Sequence, residues 1–152
     1  MYDKNSKKKK IYLAGGWFSP AQEEEHTRIY NCIKNDFDVF NPKLESLVTP
    51  GATDDFMTQT LLGNIRGIEE ADLVLVIYDY KDTGTIWEAG HAYASKKPIL
   101  YYAETLGDKK FNLMLAKTGN FVSNMEDLVE ALKKEETFKY KNVYHSYRGG
   151  VE

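Results

Sequence analysis

The chain has 152 residues, 42% of them apolar and 28% charged. That suits one soluble globular domain, able to bury roughly two-thirds of its unfolded surface. A formal net charge of −3 argues against a nucleic-acid polymer as partner, because phosphate-backbone binding needs a basic surface. The single cysteine, Cys32, excludes an internal disulfide and fits a reducing compartment.

Residues 1–9 read as a flexible leader to one domain that fills the rest of the chain. Their basic cluster, Lys7 to Lys10, is a solvated approach to a strand or, alternatively, a phosphate-binding or nucleic-acid arm. No signal-peptide pattern follows: a few apolar residues lead directly to Gln22 and three glutamates. The longest apolar run falls far short of the ~20 residues a membrane span needs. A cytoplasmic protein without membrane contact is expected.

IYLAG (11–15) reads as a short buried strand ending in glycines. From Pro20, residues His26, Ile29, Tyr30 and Ile33 recur at i, i+3, i+4, i+7, the stripe of an amphipathic helix. FDVFNP (37–42) is a second strand, stopped by Asn41-Pro42, and a loop runs from Lys43 to about Gly51. A helix follows with Met57, Leu61, Ile65 and Ile68 on one face. LVLVIY (73–78) is the third and most apolar strand, leading to a helix over 85–95. PILYYA (98–103) is the fourth strand, with a loop from Glu104 to about Lys110, then FNLMLA and a short strand near NFV (120–122). A last helix places Met125, Leu128, Val129 and Leu132 on one side.

Strands separated by single helices imply parallel βαβ units with right-handed crossovers. Five of them in one α/β domain suggest a flavodoxin-like doubly wound sheet of order 2-1-3-4-5. Ligands of such sheets bind outside the carboxyl ends of the strands, at the switch point between strands one and three. The loops GGWFSP (15–20) and DYKDTG (79–84) then flank the candidate site.

Asp79, Asp82 and Glu88 fall near that edge, with Tyr12 late in the first strand. Carboxyls around one pocket divide acid and nucleophile roles when their environments push their pKa values apart. Glu88, close to a helix start, is expected to stay ionised through the helix dipole, while a loop acid holds a proton for a leaving group. The competing reading is a solvated loop with acidic residues at a helix start. Trp17 and Phe18, beside Gly15, are either core anchors or a platform for a flat ring.

Other chemistries lack their residues. AGGWFSP is not GxGxxG, and neither GxxxxGK[ST] nor GxSxG occurs. His26, His91 and His145 show no metal-ligand spacing and read as structural or surface residues. Cys32 reads as a small packing side chain. Neither a metal nor a cofactor is expected.

IYLAGGWFSPAQ, GTIWEAGHAYASKKPIL and FNLMLA, in this order and spacing, resemble the nucleoside 2-deoxyribosyltransferases over roughly residues 10–133. The resemblance implies transfer of a 2-deoxyribosyl group between nucleobases through a covalent glycosyl-enzyme intermediate. Deoxynucleosides and free nucleobases are its small-molecule partners. Glu88 matches the nucleophile, Asp82 the acid that protonates the departing base, and Tyr12 a tyrosine that positions the nucleophile. Phe18 matches a pocket aromatic. Asn112 matches an asparagine that a neighbouring subunit supplies to the 5′-hydroxyl, accompanied by Met114. A homo-oligomer, hexamer or dimer, is implied. Asn64 stands where some members have a base-contacting aspartate. Some members also end in a tyrosine near the site; in the tail YHSYRGGVE, Tyr144 and Tyr147 are the tyrosines in question, and neither is assigned a role. Two other readings remain: hydrolysis of (deoxy)nucleoside 5′-monophosphates by the same glutamate, and a non-catalytic nucleoside or nucleotide sensor.

Overall fold

The computed structural model describes residues 1–45, 47–141, 143 and 146–152. Its elements alternate as expected: β1 (Lys10–Ala14), α1 (Pro20–Ile33), β2 (Asp38–Phe40), α2 (Pro42–Glu45), α3 (Asp54–Glu70), β3 (Leu73–Ile77), α4 (Thr83–Ala94), β4 (Ile99–Tyr102), α5 (Leu113–Ala116), β5 (Asn120–Val122) and α6 (Met125–Leu132). The five strands are all parallel, in the order β2-β1-β3-β4-β5. Among the described residues no helix is long and apolar enough to cross a membrane.

Alternation along each strand sorts side chains to two cores, because successive residues of a strand point to opposite faces. Ile11, Leu13, Leu73, Leu75, Ile77, Leu100 and Tyr102 meet Ile29 and Ile33 of α1 and Leu128 and Leu132 of α6. Tyr12, Ala14, Val74, Val76, Ile99 and Tyr101 meet Ile68 of α3, Ala89 and Ala92 of α4 and Ala116 of α5. A sheet covered on both faces explains why β3 is a continuous apolar run rather than an alternating one.

Three local expectations change. The first nine residues hold an anchor instead of a free leader: Tyr2 is buried, its hydroxyl donates to the Gly67 carbonyl at 2.7 Å, and its ring lies 5.6 Å from that of Phe40. The loop after β2 contains a single helical turn, α2. On α3, Ile68 is buried, but Met57 and Leu61, at the other end of the same stripe, are 43% and 48% exposed. The periodicity is real, yet only the end of α3 near β3 lies over the sheet.

The tail acquires a structural role that the sequence did not reveal. Val151 pairs with Phe111, and the Leu113 N–H donates to the Glu152 main-chain oxygen at 2.8 Å. Tyr147 packs edge-on against Phe111 and Phe121. Residues 111–113, the first half of FNLMLA, are therefore held by residues 150–152 of the tail. Tyr144 and His145 lie outside the described residues.

Candidate active site

Gly15-Gly16 follow β1 where the chain passes close to β3 and the β3–α4 connection, and a side chain at either position would require its neighbours to shift. A Cβ on Gly15 would sit 2.8 Å from the Ile77 side chain, and one on Gly16 would sit 3.2 Å from Asp82 Cγ. The aromatic pair follows: Trp17 is half-buried, 5.1 Å from Phe18 and edge-on to His26 at 5.8 Å, while Phe18 is 72% exposed. Ser19 then caps α1 by accepting from the Gln22 N–H, with Pro20 at the first helical position, where its missing N–H is harmless. Gln22 braces the loop in return, its Oε1 accepting from the Phe18 N–H at 3.0 Å.

On the opposite side of the cleft, Asp82 is the N-cap of α4. Its Oδ2 accepts from both the main-chain N–H and the hydroxyl of Thr85, each at 2.9 Å. Asp82-Thr-Gly-Thr85 is a capping pattern legible in the sequence, and Gln22 and Thr85 are supports that the reading above missed.

Glu88 is the sixth residue of α4, in its second turn, where the pull of the helix N-terminus has weakened. The fully buried Tyr12 donates its hydroxyl to Glu88 Oε2, and its ring stacks on Phe40 at 5.2 Å. Burial pushes the Glu88 carboxyl up to about 7; the Tyr12 hydrogen bond works against that shift, and the Asp82 charge adds to it. Desolvation thus outweighs the helix dipole, which corrects the expectation of a simply ionised Glu88. Burial and the Glu88 carboxyl together raise the Tyr12 phenol well above its usual range, so it stays a donor.

The structure therefore brings Tyr12, Gly15, Gly16, Trp17, Asp82 and Glu88 to one edge of the sheet. Asp79 is buried and turned elsewhere: it accepts from the Glu104 N–H and Thr105 N–H, each at 2.9 Å, and from the Thr105 hydroxyl. Its carboxylate fixes the loop after β4, a correction to its expected place in the substrate pocket. Asn64 lines a cavity of about 360 Å³ together with Tyr2, Lys10, Phe40 and Arg66, and neither Tyr12, Asp82 nor Glu88 lines it. Asn112 and Met114 are exposed at α5, where Asn112 Oδ1 caps the turn by accepting from the Met114 and Leu115 N–H groups.

Two of the three histidines, His26 and His91, are among the described residues. His26 is buried, and burial brings it down to about 4, so it is neutral. His91 stacks on Trp87 at 5.6 Å and lies 3.3 Å from Glu69. Among the described residues no three His, Cys, Asp or Glu side chains are grouped to hold a metal ion.

The model of one protein family, nucleoside 2-deoxyribosyltransferase, matches residues 11–136. The chain belongs to this family. The match starts in β1 and ends beyond α6, so it takes in all five strands and every side chain gathered at the sheet edge described above. Among solved structures, the 2-deoxyribosyltransferase of Bacillus psychrosaccharolyticus is 22% identical, with a TM-score of 0.75 over 91% of this chain and 99% of that one. The Leishmania mexicana 2-deoxyribosyltransferase is 19% identical, with a TM-score of 0.59 over 84% and 99%. The CMP N-glycosidase of Clostridium botulinum is 20% identical, with a TM-score of 0.54 over 82% and 98%. No curated protein sequence matches significantly. The nucleoside 2-deoxyribosyltransferase fold is thus shared with enzymes that move a glycosyl group and with one that cleaves an N-glycosidic bond.

Proposed function

We propose that the protein transfers a 2-deoxyribosyl group between nucleobases of 2′-deoxyribonucleosides, with Glu88 as nucleophile. The observation that carries this reading is the buried tyrosine hydroxyl on a carboxyl at the carboxyl edge of the sheet, beside a second carboxyl that caps the same helix. Glycosyl transfer passes through an oxocarbenium-like transition state, which an adjacent carboxylate stabilises and then traps. Tyr12 holds one Glu88 oxygen, leaving the other to attack the anomeric carbon. Asp82 gives its proton to the departing base and recovers one from the incoming base, so both half-reactions balance. A sugar with developing positive charge against Glu88 favours its ionised form, as the attack requires, while Asp82 carries the proton to be delivered. Trp17 and Phe18 flank the loop where a flat base would stack.

The test is chromatographic: purified protein with deoxyinosine, deoxyuridine or thymidine, with and without free adenine or cytosine. New deoxyadenosine or deoxycytidine formed only with the acceptor base supports transfer. Release of base and sugar alone, from nucleosides or 5′-monophosphates, points to the hydrolase.

The pH dependence follows from the same carboxyl. Glu88 must be ionised to attack while Asp82 still holds a proton to give, so kcat/KM should rise with pH on a limb set by Glu88 near about 7 and fall again at higher pH. Tyr12→Phe removes the hydrogen bond that favours the ionised form. Its rising limb should move to higher pH, with lower activity at neutrality; an unmoved limb would rule out this role for Tyr12.

The site is completed, in this reading, by a second copy of the chain in a homo-oligomer. Phe56, Met57, Leu61 and Leu62 of α3 and Trp87 and Tyr93 of α4 are each between 40% and 53% exposed, an apolar face on two helices that touch. Asn112 keeps Oδ1 for its cap, which leaves its amide N–H to donate to a sugar hydroxyl of a neighbour's substrate. Asn112→Ser preserves a capping oxygen but not that reach. It is expected to raise KM for the nucleoside roughly tenfold, the worth of one hydrogen bond, and to increase hydrolysis relative to transfer. Steady-state kinetics with and without acceptor base reads both effects.

A further inference from the structure

Glu25, on α1, is a buried carboxyl for which the chemistry above has no use. It is 2% exposed, and neither of its oxygens has a hydrogen-bond partner. Its carboxyl faces those of Asp79, after β3, and Glu104, after β4, within hydrogen-bonding reach of both. Three carboxylates are acceptors only and cannot satisfy one another. A proton on one of them resolves the conflict.

The partners say which one. Asp79 already accepts from two N–H groups and the Thr105 hydroxyl. Glu104 accepts from Arg28, at 2.7 and 3.1 Å, and from the Tyr102 hydroxyl at 2.6 Å, and the Arg28 guanidinium holds it below the usual carboxylate range. Donors surround both, as suits the ionised form. Glu25 has none, so the proton belongs there. As a neutral acid it donates to a neighbour, and its remaining carbonyl oxygen costs far less to leave unpaired than a charge would.

We propose that Glu25 carries a carboxyl proton in the folded protein, and that this proton, shared with Asp79 and Glu104, joins the connections leaving β1, β3 and β4 and so positions the segment that delivers Asp82. That segment needs an external hold. Between Asp79 and Asp82, Tyr80 and Lys81 both take left-handed backbone conformations, with φ of 68° and 49°, each costing about 1 kcal/mol or more for a residue other than glycine. Asp79 is the anchor of this turn, and Glu25 ties that anchor to α1. Burial, with the charges of Asp79 and Glu104, pushes the Glu25 carboxyl up to about 9. The groups acting on it are Asp79 and Tyr80 from the β3–α4 connection and Glu104 from the loop after β4; Arg28 of α1 and Tyr102 of β4 reach the cluster through Glu104. With Arg28 the cation in contact, ionising Glu25 adds a second uncompensated negative charge to the cluster.

The sign follows. A carboxyl whose folded pKa lies above its unfolded value contributes stability that is complete below the unfolded value and lost as pH rises through the folded one. Wild-type protein should therefore lose thermal stability from about pH 5 to about pH 9, and above about pH 7, where Glu88 contributes no further change, the remaining loss belongs to Glu25. Glu25→Gln supplies amide hydrogens in place of the proton and should remove most of that loss, whereas Glu25→Ala should be less stable across the range. An infrared band of a protonated carboxylic acid should persist in wild type at about pH 8, where Glu88 is ionised, and be missing in Glu25→Gln. Turnover, which rests on the proposed transfer, should fall more steeply at alkaline pH in wild type than in Glu25→Gln. An equal alkaline loss of stability in wild type and Glu25→Gln, or no acid band in wild type, overturns the proposal. Failure of the transferase reading alone would remove the turnover limb and leave the stability and infrared results standing.

Discussion

Glu88→Gln is expected to lower transfer by on the order of 10⁴-fold or more, the scale seen when a covalent nucleophile is lost. The amide keeps the shape of the carboxyl and still accepts from Tyr12, so the fold should be unaffected. Stability should even rise under some conditions. The folded-state pKa of about 7 lies above the ordinary 4.5, so keeping this carboxyl buried becomes more costly as pH climbs from its unfolded value through about 7. Glu88→Gln should therefore melt at a higher temperature than wild type at about pH 8 and lose that advantage near pH 4. Single-turnover assays and melting curves on the same preparations test both halves. A variant with near-normal transfer would eliminate the covalent mechanism. One that is inactive but gains nothing at high pH would show that burial does not set the carboxyl's acidity.

Asp82→Asn is the second large effect, and here two jobs of one side chain come apart. Asparagine is as good an N-cap as aspartate, so its oxygen should still accept from the Thr85 N–H and the melting temperature should barely move. It has no proton to give, so transfer should fall by about 10²- to 10⁴-fold, the usual contribution of a general acid. Asp82→Ala should lose activity similarly and also about 1 kcal/mol of stability with the cap. A nucleoside whose base leaves without protonation should recover much of the lost rate in Asp82→Asn. If it does not, the loss in Asp82→Asn does not come from protonation of the base, and the acid must be sought elsewhere.

These two side chains also show why a sequence reads the position of a site better than its state. Glu88 was placed at the sheet edge by counting from the apolar run of β3, and that placement needs only strand and helix periodicity. Its proton affinity depends on Tyr12, 76 residues away, and on how deeply both are covered. Near a helix start the local argument favours an ionised carboxyl, but desolvation is a property of the packed surroundings and it prevails. Asp79 illustrates the converse. It lies at the predicted edge, yet its direction was set by the Glu104–Thr105 main chain, which nothing local in DYKDTG reveals.

The apolar stripe of α3 marks a similar boundary. Met57, Leu61, Ile65 and Ile68 share one face in any α-helix, because 3.6 residues per turn dictates it. Which end of that face meets the sheet depends on where α3 crosses it. The exposed end is where a second copy of the chain is proposed to bind.

By itself, then, the sequence determined the alternating elements, the parallel sheet and its order, and the edge at which Tyr12, Asp82 and Glu88 meet. Each follows from the period of apolar residues and from crossover rules that act over one or two elements. Only the tertiary structure decided that Tyr2 and the tail are anchors, that Asp79 faces the loop after β4, that Glu88 is raised, and that Glu25 is buried without a donor. These depend on which distant groups come within a few ångströms and on how much water they exclude, and no local pattern encodes either.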